Sequence, residues 1–180
     1  YLLKQYLEKL CNKVDKVVIS KGNHDMHLDR YLTEGRFMYS PEDFYLGCAL
    51  AMKVVEGEDP LKYLMETWIG LDVSNVKWLA LDESYKVHDI ELGQHGAMGA
   101  NGARGSKNTF DTCLGKCVVG HSHTAGIMRE VYTVGVACNR DQGYNRGFSS
   151  WTYTSCVLYE NGTRQLINFI PNMKGEFLYE

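Results

Sequence analysis

The spacing of apolar residues divides the chain into a helix-rich part followed by a strand-rich part. In residues 2–13, Leu3, Leu7 and Leu10 recur every three or four positions, which predicts an amphipathic helix. The β-branched run "KVVIS" follows after a tight link and predicts a short buried strand. A helix joined closely to a strand indicates an α/β fold.

Three further stretches before residue 76 predict helices. In the second of them, Ser40 is placed to cap the helix and Pro41 to occupy its first turn. Asp59 and Pro60 repeat this arrangement in the third stretch, and Gly35 is placed to end the first. The stretches are "MHLDRYLTEG", "SPEDFYLGCALAMKVVEG" and "DPLKYLMETWIG".

From residue 76 onward, the chain is rich in β-branched and aromatic residues, which predicts strands. One of them, "YKVHDIEL", is predicted as a single strand with His88 inside it. The last two flank "ENGT", which is typical of a hairpin turn. The predicted strands are "VKWLAL", "YKVHDIEL", "KCVVG", "VYTVGVA", "SWTYTSCVLY" and "RQLINFI".

Composition restricts the class of protein without naming a function. The 180 residues suit a single domain, here taken as residues 1–180, and the net charge of −3 favours neither nucleic acid nor membrane binding by bulk charge. No apolar run approaches the ~20 residues of a membrane helix. The six cysteines are scattered, which favours a reducing cytoplasm. Cys113 and Cys117 lie four apart, but no second pair follows to complete a zinc site.

Three segments share one arrangement, in which a predicted strand is followed by glycine and then by histidine. In α/β folds, the loops after the carboxyl ends of strands form the site. A turn formed by glycine does not need a following histidine, so the repeated histidines indicate a function. Because all three groups follow strand ends, we expect their side chains to converge on one place. They are Asn23, His24 and Asp25 in "GNHD", His95 in "GQHG", and His121 and His123 in "GHSH". His121 and His123 would either share a face of a continuing strand or splay around an ion in a turn.

These three motifs resemble the third, fourth and fifth motifs of the calcineurin-like metallophosphoesterases. The stretches "GANGARGS", "VVGHSHTAGI" and "GYNRGFSSWTYTSCVLYENGTRQLINF" are similar to phage-encoded members described as DNases or DNA-transfer proteins. The resemblance covers residues 16–170. It implies a four-layer α-β-β-α sandwich, with two facing mixed sheets and outer helices, of which this chain would be the carboxyl-terminal part.

The resemblance also implies a dinuclear metal site and a role for each motif residue. A metal-bound hydroxide would attack the phosphorus, and His24, held by Asp25, would protonate the leaving oxygen. Manganese is the expected metal, with iron, nickel, zinc or magnesium as alternatives. The implied ligands are Asn23, His95 and His121 for one ion and His123 for the other.

The first two motifs of that family, Asp-x-His and Gly-Asp-x-x-Asp, do not occur before "GNHD". We therefore expect them in a region before residue 1 or in another chain of an oligomer, and we expect the isolated 180 residues to be inactive. The alternative is a non-catalytic interaction module that retains the fold. Ala97 is a further departure, because many relatives carry a polar residue there.

The resemblance favours DNA as the substrate, acted on in the host cytoplasm if the protein is phage-encoded, with a protein or nucleotide phosphatase as the alternative. Arg104 and Lys107, in and just after the glycine-rich loop 93–106, are candidate phosphate-binding residues, although such loops are often only mobile surface. Arg146 is a third candidate, and Tyr144 and Trp151 could stack on a nucleotide. Cross-strand aromatic packing in a hairpin would explain Trp151 equally well.

Overall fold

The computed structural model describes residues 2–139, 142–144 and 147–170. The chain forms two compact units, the first unit comprising residues 1–81 and the second unit residues 82–180. Within the described part of the chain, no helix has the length and apolar character needed to cross a membrane.

The first unit contains several helices and a two-stranded parallel sheet. Strand β1 pairs with β2 in the register Val17↔Val76, and the helices between them form the crossover that a parallel pair requires. The elements are α1 (Leu2–Cys11), β1 (Val17–Ser20), α2 (Met26–Thr33), a 3₁₀ segment (Arg36–Tyr39), α3 (Phe44–Val55), α4 (Pro60–Tyr63), a π-helical continuation (Leu64–Trp68) and β2 (Val76–Leu79). The predicted α/β character of this region is confirmed.

The core of the first unit packs the 3₁₀ segment against α2 and α3. Leu32, Phe37 and Leu50 are buried together. A Cβ atom at Gly47 would lie 2.4 Å from the ring of Phe37, so only glycine permits this approach. The burial of Phe37 therefore depends on a glycine one helix away.

The predicted start of α3 at Ser40 and Pro41 is wrong. The helix begins at Phe44, and the Ser40 amide instead donates to the carbonyl of Phe37, ending the 3₁₀ segment. The Tyr31 hydroxyl donates to the carboxylate of Asp43 over 2.9 Å, just before the helix. The backbone amide of Ser40 thus belongs to the end of the 3₁₀ segment and not to the start of α3.

The predicted start of α4 at Asp59 and Pro60 is confirmed. The carboxylate of Asp59 accepts hydrogen bonds from the amides of Leu61 and Lys62 at 2.9 and 3.0 Å. Pro60 occupies the first turn, where a missing N–H has no cost.

The second unit contains a five-stranded mixed sheet and a hairpin among its described residues. The strand order is β3-β4-β5-β7-β6, in which β4, β5 and β7 are parallel and the outer strands antiparallel. The elements are β3 (Lys86–Val87), β4 (Ile90–Glu91), a 3₁₀ segment (Ala100–Gly102), α5 (Lys107–Cys113), β5 (Cys117–Val119), β6 (Gly126–Met128), β7 (Val131–Thr133), β8 (Thr154–Leu158) and β9 (Arg164–Asn168). Phe110, Cys117, Val119 and Val131 form its buried cluster.

The prediction of one strand over "YKVHDIEL" is wrong. The segment is a tight hairpin of β3 and β4, whose two central residues, His88 and Asp89, have φ angles of 51° and 61°. Paired positive φ angles match the twist of such a hairpin, although Asn-Gly is the usual sequence. His88 is consequently an exposed turn residue, not part of a strand.

The predicted hairpin over "ENGT" is confirmed, because β8 and β9 pair antiparallel around it. Asn161 accepts a hydrogen bond from the Thr163 amide at 2.9 Å, and Gly162 has a φ of 81°. The described elements make this a mixed α/β protein, while the four-layer sandwich stays a prediction.

Candidate functional site

The Asn23–Asp25 turn in the first unit joins the end of β1 to the start of α2. The Gly22 amide donates to Oδ2 of Asp25 at 2.7 Å, and the Asp25 amide donates back to the Gly22 carbonyl at 3.2 Å. These two bonds close the turn. Asp25 therefore fixes the backbone that carries Asn23 and His24, while its predicted contact with the His24 ring stays a prediction.

His27 stacks on His24, a contact that was not predicted from the sequence. The ring centroids are 5.3 Å apart, with an angle of 15° between the ring planes. The His27 amide also donates to the His24 carbonyl at 3.0 Å. Residues three apart share a helix face, so the spacing of the two histidines was the available signal.

Lys21, just before the turn, is paired with two carboxylates. Its Nζ lies 2.7 Å from Oδ2 of Asp29 and 2.7 Å from Oδ2 of Asp59. Burial by itself lowers the pKa of Lys21, but the bonds to both carboxylates outweigh it and raise that pKa. Burial likewise raises the pKa of Asp59, while the Lys21 ammonium and the two amide donors lower it overall. This ion-paired group ties the end of β1 to α2 and α4.

In the second unit, His95 and His121 lie side by side. They follow β4 and β5, which are neighbouring parallel strands, and the Gly120 amide donates to the His95 carbonyl at 3.0 Å. Their ring centroids are 5.4 Å apart, with ring planes at 74°. The structure thus brings together two of the predicted ligands.

Close backbone contacts between glycines shape the loop after His95. A Cβ atom at Gly105 would lie 2.2 Å from the Gly96 carbonyl oxygen, so this contact requires glycine. The loop 93–106 folds back on itself, because the Gly105 amide donates to the Ala97 carbonyl at 2.9 Å and Gly99 pairs with Ala103 at 2.7 Å. The glycine-rich loop is therefore internally hydrogen-bonded, and Ala97 supplies one of its acceptors.

His121 and His123 lie in a turn, which decides between the two geometries left open by the sequence. Both have a φ of 60°, in the left-handed region that residues with a Cβ rarely adopt. The Ser122 amide donates to the Gly120 carbonyl at 2.6 Å, and the Ser122 hydroxyl donates to the Thr124 carbonyl at 3.0 Å. Two strained residues in one turn point to a functional constraint on this segment.

Trp151 packs against His123. The two ring centroids are 4.3 Å apart, and the rings meet edge to face at 85°. The next residue, Thr152, holds this contact in place, because its amide donates to the His123 carbonyl at 3.1 Å and its hydroxyl accepts from the Ala125 amide at 3.0 Å.

Glu91 is a buried carboxylate, with 3% of its surface exposed, that anchors the segment before His95. Its oxygens accept from the amides of Tyr85 and Gly93 at 3.0 and 2.8 Å and from the hydroxyl of Ser84. Burial alone raises the pKa of Glu91, but these three hydrogen bonds favour the ionised form and lower the pKa overall. No sequence motif marked this residue.

The candidate phosphate-binding residues differ in their placement. Lys107 begins α5 next to the capping residue Ser106. Its ammonium group lies close to Gly126, because a Cβ atom at Gly126 would be only 2.4 Å from Nζ. Arg104 is exposed and pairs through its backbone with Met98. Arg146 lies outside the described residues.

The paired histidines of the second unit supply part of what a dinuclear metal site needs. Imidazole nitrogens suit manganese, iron, nickel or zinc, and within the second unit His95 and His121 are placed as a pair. In the described ranges, however, three or more His, Cys, Asp or Glu side chains nowhere form a group that could hold a metal ion. Two dications repel each other, so a dinuclear site would also need anionic ligands.

Comparisons with known proteins connect the chain with phage. No protein-family model and no solved structure matches it. The chain is 37% identical over 172 residues to "Protein A1" of Escherichia phage T5. That match covers 91% of this chain and 31% of the phage protein, so the chain spans less than a third of the length of this curated relative.

Proposed function

We propose that the protein is a metal-dependent phosphoester hydrolase that cleaves the phosphodiester bonds of DNA. The observation that carries the proposal is the pairing of His95 and His121 after neighbouring parallel strands, with ring centroids 5.4 Å apart. Such strand ends are where α/β folds bind ligands. The three motifs that resemble metallophosphoesterases support the reaction. The similarity to a phage protein supports a phage origin, for which the host cytoplasm is the proposed location.

The proposed cofactor is a pair of divalent ions, with manganese preferred. The resemblance to metallophosphoesterases would assign Asn23, His95 and His121 to one ion and His123 to the other. When bound, such a pair polarises phosphoryl oxygens and activates water for attack on phosphorus. The carboxylates that balance the charge would come from outside the described residues or from another chain.

The residues of this chain would contribute binding and proton transfer. His24 would donate a proton to the leaving oxygen, and such general-acid catalysis contributes roughly 10²–10⁴-fold in rate. Asp25 would hold the turn that presents His24, through its bond to the Gly22 amide at 2.7 Å. Arg104, Lys107 and Arg146 would bind phosphate oxygens of the substrate strand.

The test uses the complete protein, freed of metal by a chelator and reloaded with one metal at a time. We expect manganese to restore cleavage of plasmid DNA, and His95→Ala to abolish it. His88→Asn is the matched control, because His88 is an exposed turn histidine with a φ of 51°, which asparagine tolerates.

Two other outcomes would contradict the proposal. Hydrolysis of a small phosphomonoester or a phosphopeptide without cleavage of DNA would identify a phosphatase. Metal uptake or DNA binding without hydrolysis of any substrate would identify a non-catalytic module.

A further inference from the structure

The second unit places an aromatic surface directly beside His123. Trp151 is partly exposed and lies 4.3 Å from the His123 ring, centroid to centroid. Tyr144 lies 6.2 Å from Trp151 with its ring plane at 63°, and 65% of Tyr144 is exposed. We call Tyr144 and Trp151 the aromatic wall.

Cross-strand packing in the hairpin does not account for the aromatic wall. Strand β8 begins at Thr154, so Trp151 lies before the hairpin and packs on a loop histidine. Tyr153, by contrast, does follow the hairpin pairing, because its carbonyl accepts from the Phe169 amide at 2.8 Å. The two aromatic residues, two positions apart, therefore have different partners.

The segment that carries Trp151 is fixed from both sides. The Thr152 carbonyl accepts from the Val136 amide at 2.8 Å, opposite the bonds that Thr152 makes to the His123 loop. The hydroxyls of Thr124 and Ser150 also bond to each other at 2.8 Å. The position of Trp151 relative to His123 is thus set by backbone hydrogen bonds as well as by ring packing.

We propose that the aromatic wall is a base-binding subsite, which stacks on an unpaired nucleobase next to the phosphate held at His123. This inference rests on the proposed function and adds a substrate preference to it. Aromatic side chains bind single strands by stacking on bases, because every base has a π-face. A base inside a duplex is already stacked and paired, so it cannot lie against Trp151 without being unpaired. The protein therefore prefers single-stranded or frayed DNA.

Binding without metal tests the subsite separately from catalysis. The complete protein, in excess chelator, is titrated into a labelled single-stranded oligonucleotide and into a strand of equal length built from abasic residues, and anisotropy is followed. We expect the parent to bind the normal strand more tightly, and Trp151→Leu to lose about tenfold in affinity for that strand alone, as expected from the energy of one stacked base.

Three variants distinguish stacking from a purely structural role. Trp151→Phe keeps a ring and should retain most of the affinity, whereas leucine keeps apolar packing on His123 without a π-face. Tyr144→Leu should lose less affinity than Trp151→Leu, because the phenol ring of Tyr144 offers a smaller stacking surface than the indole of Trp151. Trp68→Leu is the matched control, since Trp68 is partly exposed and contacts Tyr45 in the first unit.

The possible outcomes test the base-binding subsite independently of the proposed hydrolysis. Equal affinity of the parent for the normal and abasic strands, or an equal loss on both strands in Trp151→Leu, would overturn the subsite. Base-dependent binding lost in Trp151→Leu would support it, whether or not manganese restores cleavage. Absence of cleavage together with base-dependent binding would overturn only the hydrolase proposal.

Discussion

The turn with Asn23–Asp25 in the first unit and the turn with His121 and His123 in the second each present histidines directly after a buried strand. The first leads into α2, and Asp25, its last residue, has ordinary helical angles (φ −64°, ψ −31°). The second connects β5 to β6, and both of its histidines have left-handed angles with a φ of 60°. Similar motifs are thus built on different backbones.

The difference lies in what stabilises each turn. The first turn closes on itself through Asp25 and Gly22, four residues within one segment. The second depends on residues distant in sequence, since Thr152 and Trp151 hold His123. A strained turn needs such external support, because left-handed residues with a Cβ cost roughly 1–2 kcal/mol each. The histidine turn of the second unit is therefore the one that tertiary structure must maintain.

The largest expected difference between the two turns is chemical. In the complete protein, His24→Ala should lower the rate of DNA cleavage on the order of 10²–10⁴-fold with little change in metal content, if His24 has the proposed proton-donating role. His121→Ala should lower both the rate and the metal content, because the proposal makes His121 a ligand. Elemental analysis of each purified variant, beside its cleavage rate, makes the comparison, with His88→Asn as the control. Equal metal loss in both variants would show that His24 is a ligand too.

The next largest effect concerns Glu91, which anchors the segment leading to His95. Glu91→Gln should lower the free energy of unfolding by about 1–3 kcal/mol at neutral pH, since a neutral amide replaces a carboxylate that accepts three bonds. Glu160→Gln, at an exposed position, should change it little. Urea titrations of the three proteins measure the differences.

The direction in which pH changes the stability difference between the parent and Glu91→Gln follows from the pKa of Glu91. The folded-state pKa of Glu91 lies below its ordinary value of 4.5. The ionised carboxylate therefore stabilises the fold above that ordinary value and loses its contribution as the pH falls through the lower folded-state pKa. The stability difference between parent and Glu91→Gln should shrink in acid, and a difference that grew in acid would contradict the assignment.

A smaller effect on stability is expected when a histidine in either turn is replaced by glycine or by alanine. At His121, glycine should give a more stable protein than alanine by about 1 kcal/mol, because glycine adopts a positive φ without strain. At His24, whose φ is not positive, alanine should be the more stable by about 0.5–1 kcal/mol. Unfolding in chelator removes any contribution of metal. The same sign at both positions would mean that the two backbones do not differ as described.

The smallest effect concerns Cys117 in β5, the strand that precedes the second turn. It is measured as the reactivity of the thiol and involves no change in stability. Cys117 begins β5 and is fully buried, and burial raises the pKa of its thiol to about 11. Cys113, four residues earlier, is exposed. Iodoacetamide at about pH 8 should therefore modify Cys113 in the folded protein and Cys117 only after unfolding, because the thiolate is the reactive form. Mass spectrometry locates the label, and rapid labelling of Cys117 in the native protein would contradict its burial.

Local patterns determined much of this protein from sequence alone. The helical spacing of α1, the cap at Asp59, the strand at Val17–Ser20 and the hairpin over Asn161 and Gly162 were all predicted. Each depends on residues within one or two turns of chain, where propensity and capping decide the outcome. The repeated strand–glycine–histidine pattern also predicted that His95 and His121 would lie together, because neighbouring parallel strands end at one edge.

Tertiary structure decided the rest, because those features depend on partners far along the chain. The start of α3 depended on Ser40 ending the preceding 3₁₀ segment, and the ion-paired group at Lys21 depended on Asp59, 38 residues away. The left-handed angles of His121 and His123 are unfavourable locally, so no propensity predicts them. Trp151 fits a hairpin equally well by sequence, and only the bonds of Thr152 place it on His123.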